Sequence, residues 1–190
     1  MPTWGWVLIA VAVLVAVAVA AWLLSRRRRT QQLRSRFGPE YERTLNETDS
    51  KRRGESELES RRARREALDI RALTPAAAER YTASWQAVQG RFLDEPPQAL
   101  SEADRLVVRL MRERGYPMDD FEQRSADLSV DHPNVVENYR AAHGISLASE
   151  HGKASTEDLR QGMVHYRALF EELLETSTEA SKADPESAQA

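Results

Sequence analysis

Hydrophobic positions change rhythm twice along the chain. From Trp4 to Leu24 they run almost unbroken, and the first 24 residues carry no charged side chain. From Pro39 to Leu68 they thin to Tyr41, Leu45, Leu58 and Leu68 among Glu and Arg. From Leu73 they recur every three or four positions, the spacing of one face of a helix. The three regimes predict a membrane helix at 4–24, a basic helical stalk at 25–73 and a helical bundle at 74–175. A tail at 176–190, rich in Ser, Ala, Glu and Asp, has no apolar period and reads as disordered.

Twenty-one uncharged residues at about 1.5 Å each span about 30 Å, the thickness of a bilayer's hydrocarbon core. Eleven of them are Val, Leu or Ile. The alternation in VAVLVAVAVA is strand-like, but a lone strand in lipid leaves its backbone unpaired, so a helix is expected. Trp4 and Trp6 mark one interface and Trp22 the other. A cleaved signal peptide would put positive charge before the apolar run, whereas Arg26, Arg27, Arg28 and Arg29 follow it. The same arginines favour an N-terminus outside and residues 25–190 in the cytoplasm. Ala12, Ala16 and Ala20 share one face of the span, a small-residue pattern on which two such helices could pair weakly.

Pro39 suits a helix start, and four-residue acid–base pairs such as Glu57 with Arg61 suit a solvated, partly frayed helix beyond it. Thirty helical residues would reach about 45 Å from the bilayer. In the bundle, Thr74-Pro75 reads as an N-cap, followed by the stripe Tyr81, Trp85, Val88 and Phe92. A second helix carries Leu100, Ala103, Val107 and Leu110, and stops at Gly115 with Pro117 beyond. Asp119 with Glu122 suggests a capping box for a short third helix. Asp131 and Pro133 open a fourth, ending at Gly144. Ser155 with Asp158 caps the last, whose stripe is Leu159, Met163, Tyr166, Phe170 and Leu173. The expected fold is all-α, with four to five helices in the bundle and no strand.

Charge sharpens this division. Residues 25–71 hold 15 basic and nine acidic residues, net +6, and residues 72–190 hold 12 and 21, net −9. Anionic headgroups attract the first stretch, so Arg26 to Arg29 are expected to touch lipid. An acidic bundle is a poor nucleic-acid binder. With no Cys in the chain, disulfides, thiolate catalysis and Cys-bound metals are excluded.

Candidate chemistry is sparse. The four histidines, His132, His143, His151 and His165, lack the close spacing of a zinc pair, and no cofactor or metal is expected. The segment RGYPMDDFEQRSADLSVDHPNVVENYR (114–140) packs prolines, acids and aromatics into short elements. It reads as a partner-binding ridge, with Tyr116, Asp119 and Asp120 as surface residues. The competing reading is a hydrolase that uses the carboxylates of 119–131 with His132 for acid–base work.

The segments RFGPEYERTL, RYTASWQAVQGRFLDEP, 114–140 and TEDLRQGMVHYRALFEELL together resemble a family of small single-pass bacterial membrane proteins, common in actinobacteria and labelled membrane or secreted. The resemblance covers residues 36–175 and implies a bacterial, single-pass architecture. It implies no activity, cofactor or catalytic residue. The expectation is therefore a membrane-anchored cytoplasmic helical module that scaffolds an unidentified protein partner, rather than an enzyme.

Overall fold

The computed structural model describes the backbone of residues 3–183, and the side chains of Trp4 and of residues 12–177. Eight helices and no strand occur among them. They are α1 (Thr3–Phe37), α2 (Pro39–Glu47), α3 (Lys51–Glu66), α4 (Pro75–Arg91), α5 (Pro96–Glu113), α6 (Phe121–Asp131), α7 (Val136–Glu150) and α8 (Thr156–Ala183). Contacts divide the chain after Glu59 into two compact units.

In the first unit, α1 runs unbroken through the apolar segment and the arginines. Val13, Leu14, Val15, Val17, Val19, Leu23 and Leu24 are all exposed, so no face of this stretch is buried in protein. The side chains of residues 5–11, part of the expected span, lie outside the described residues. Among the described residues no helix is long and apolar enough to cross a membrane.

The stretch beyond α1 is packed, not a solvated stalk. Gly38, at φ 47°, breaks the helix after Phe37, and Pro39 starts α2 at once. Leu33, Phe37, Tyr41 and Leu58 are buried, although the sequence has too few apolar positions here to show a stripe. Polar groups do part of the packing. Glu55 is buried and accepts from Thr30 Oγ1 at 2.8 Å and Tyr41 OH at 3.0 Å, with Lys51 Nζ 3.7 Å away. Arg29 forms a two-pronged pair with Glu59. The segment is thus folded back on α1, and a 45 Å extended helix is excluded.

The second unit is the expected bundle, built from α4 to α8. Thr74 caps α4 by accepting from Ala77 N at 3.2 Å, and Ser155 and Asp158 form the reciprocal box that opens α8. The core holds the expected stripes, with Trp85 and Phe170 stacked at 4.8 Å between centroids. Helix α8 lies close enough to α5 that a Cβ on Gly162 would come within 2.8 Å of Leu100 Cδ1.

Three expected boundaries move. The cap of α6 is Asp120, which accepts from Gln123 N at 2.8 Å, one position later than expected. Helix α7 begins beyond Asp131 and Pro133, and passes through Gly144 to Glu150. Helix α8 continues to Ala183, past the start of the expected tail. Ser177 is buried and accepts from Leu73 N, giving the helix's late turns a structural task. The tail from 184 to 190 lies outside the described residues.

Candidate functional site

Two clusters gather the residues that sequence chemistry singled out. One surrounds the 114–132 corner in the second unit. Gly115 adopts φ 94°, and a Cβ there would collide with Asp69 O, so only glycine fits this turn. The turn sends Tyr116 inward. Its side chain is 3% exposed, and its hydroxyl donates to Asp131 at 3.1 Å. The expectation of a projecting Tyr116 is corrected by that burial. Asp131 ends α6 rather than opening a helix, and its carboxylate also accepts from Arg65. Arg114 is buried alongside, donating to Leu173 O at 3.0 Å and Thr176 Oγ1 at 3.1 Å, with its guanidinium 5.9 Å from the Tyr116 ring centre.

His132 is also buried, 3% exposed, and its Nδ1 lies 3.0 Å from the Glu172 carboxylate. Burial lowers its pKa below the ordinary 6.5, outweighing the Glu172 hydrogen bond that raises it. Burial likewise pushes the Tyr116 hydroxyl above 10, with the Asp131 charge adding to the effect. Burial makes the Arg114 guanidinium easier to deprotonate than usual, although its starting value of 12.5 leaves it charged.

These residues do not assemble as a hydrolase would need. Asp119 and Asp120 are exposed, and Asp120 is occupied as a cap. Asp127 is buried, accepting from Gln123 Nε2 at 2.9 Å with Arg64 Nε at 3.7 Å. His132 turns to Glu172 rather than to any carboxylate of 119–131, and it is closed to solvent. Among the described residues no group of three or more His, Asp or Glu could hold a metal ion. The cluster reads as a polar brace joining the end of α3, the corner and α8. Sequence reasoning missed Arg65, Arg114 and Glu172. Arg64 and Arg65 lie on the stretch expected to be a solvated, partly frayed helix, but they meet bundle carboxylates some 60 positions away.

The second cluster is the basic segment of the first unit. Arg26 to Arg29 are all exposed on α1. Arg26 lies over the Trp22 ring at 5.5 Å, and Arg29 is held by Glu59. Burial works against the charge of Glu55, but hydrogen bonds from Thr30 and Tyr41 and the nearby Lys51 prevail, holding its carboxyl below the ordinary range. The Tyr41 hydroxyl is pushed up to about 12, first by burial and then by Glu55. A cleft of about 540 Å³ opens here between α1 and the first turns of α3, lined by Trp22, Ser25, Arg26, Arg29, Arg52, Glu55 and Ser56.

No family model, curated protein or solved structure matches this chain.

Proposed function

We propose that this chain is a single-pass membrane protein whose helical bundle serves as a cytoplasmic interaction module. The observation that carries the reading is α1. Between Ala12 and Leu24 its apolar side chains point outward on every side, then give way within two positions to Arg26–Arg29. A helix apolar all round needs an apolar surrounding, which lipid supplies. Together with the run from Trp4, it has the length of a bilayer span. The arginines set the N-terminus outside and the bundle inside, and place positive charge against anionic headgroups. Ala12, Ala16 and Ala20, all exposed on α1, offer a face for weak pairing of two copies.

Two features support an interaction role over catalysis. Of the corner's titratable residues, Tyr116, Asp131 and His132 are each tied to a partner, and Tyr116 and His132 are closed to solvent. The surface of the bundle also offers a groove of about 160 Å³ lined by Phe92, Met163 and Val164 together with Gln89, Arg160 and Arg167. An unidentified protein partner is the expected occupant, and the acidic charge of residues 72–190 disfavours nucleic acid.

Orientation tests the proposal. Alkaline phosphatase, active only outside the cell, and a cytoplasm-active fluorescent protein are each fused at the C-terminus. Fluorescence without phosphatase activity is expected. Phosphatase activity without fluorescence would overturn the cytoplasmic placement, and release of the protein by alkaline carbonate would overturn the span itself.

A further inference from the structure

We propose that the cleft between α1 and the first turns of α3 binds the phosphate of an anionic phospholipid, with Arg26 and Arg52 as its two cationic arms. The inference rests on the membrane reading and adds a site to it. Of the cations lining the cleft, Arg29 is tied to Glu59. Glu55, the carboxylate among the described residues lining the cleft, is taken by Thr30, Tyr41 and Lys51. That leaves Arg26, stacked on Trp22, and Arg52, which has no carboxylate of a described residue within ion-pair distance. Two guanidiniums, one from each helix lining a concave site, suit a phosphodiester monoanion, which accepts their N–H groups in pairs. Hydroxyls of Ser25 and Ser56 border the same space.

The position of Trp22 argues for lipid as the source of that phosphate. An exposed tryptophan at the end of an apolar helix sits at headgroup level, so the cleft opens where lipid phosphates are densest. Arg52 is 26 positions beyond Arg26 and reaches this level only because α2 and α3 return along α1. A straight stalk would have carried it far from the bilayer.

The test uses the full chain purified in mild detergent from membranes containing phosphatidylglycerol and phosphatidylcholine, with retained lipid counted by native mass spectrometry. Wild type is expected to retain phosphatidylglycerol in preference to phosphatidylcholine. Arg52→Gln should retain about tenfold less, while Arg36→Gln, which removes the same charge at an exposed residue outside both the cleft and the Arg26–Arg29 cluster, should retain it as wild type does. Equal loss in both variants would reduce the effect to general membrane electrostatics and overturn the site, as would undiminished retention in Arg52→Gln. Inorganic phosphate is added in a second arm. Displacement of the lipid by phosphate at comparable concentration would assign the site to free phosphate rather than to lipid. Carbonate extraction of each variant separates the two claims. A chain that stays in the membrane but shows no headgroup preference refutes the cleft alone, and a chain that washes out refutes the anchor.

Discussion

His132 and Glu172, forty positions apart, meet with Nδ1 and Oε1 3.0 Å apart at the end of the bundle. With Nδ1 as the donor to this carboxylate, Nε2 is the acceptor of a neutral ring, and it is buried without a hydrogen-bond partner among the described residues. The folded protein therefore holds this imidazole neutral, which makes the pair sensitive to pH.

The folded-state pKa of His132 is lowered, so below 6.5 the unfolded chain takes up a proton that the folded chain resists. Its contribution to stability is present above 6.5 and is lost as the pH falls toward the folded-state value. Urea melts at a series of pH values should show wild type losing stability below 6.5 more steeply than His132→Gln. Parallel curves would show that the ring titrates alike in both states. His132→Ala should cost about 1–3 kcal/mol at neutral pH, through the lost hydrogen bond and packing.

The tyrosines give a second handle. Tyr41, Tyr81, Tyr116, Tyr139 and Tyr166 are all shifted upward, in each case chiefly by burial, with Tyr41 and Tyr81 at about 12. They are the chain's five tyrosines. Tyrosinate absorbance should be missing from the folded protein at pH 10 and appear together with unfolding. An ionisation near 10 before circular dichroism changes would expose at least one of the rings.

Three glycines should respond to alanine in graded fashion. Gly115→Ala combines a positive φ with a Cβ driven into Asp69 O, and should cost about 2 kcal/mol or more. Gly152 has φ 65° with open space around it, and should cost about 1 kcal/mol. Gly144 is helical with nothing near, so alanine should stabilise by about 0.5–1 kcal/mol. Denaturant midpoints of the three variants check the order.

The Trp85–Phe170 stack joins α4 to α8. Either residue changed to Ala should cost about 3–5 kcal/mol. The double variant should cost less than the sum, because the two rings share one contact. Strict additivity in a double-mutant cycle would show that they do not touch.

The bundle was legible because its signals are local. Thr74-Pro75, the Ser155–Asp158 box and the stripe from Leu159 to Leu173 each name a helix within a few turns. The corner misled for the same reason. Nothing near Tyr116 or His132 says that Arg65 and Glu172 will cover them, and those partners lie about 50 and 40 positions away. Gly144 resembled a stop, but the chain around it keeps a helical course. The return of α2 and α3 along α1 was hidden because charge does much of the packing there. Glu55 and Arg29 look like surface residues until Thr30, Tyr41 and Glu59 are placed beside them.

Helix α8 supplies Leu159, Tyr166, Phe170 and Leu173 to the core, a carboxylate to His132 and a hydroxyl to Leu73. It is also the last of the eight described helices to be synthesised. At about 5–20 residues per second, roughly 6–24 s separate the emergence of Ser60 from that of Ser177. Until α8 emerges, the faces of α4, α5 and α7 that it covers remain open. The bundle is therefore completed only when α8 has been made, long after α1.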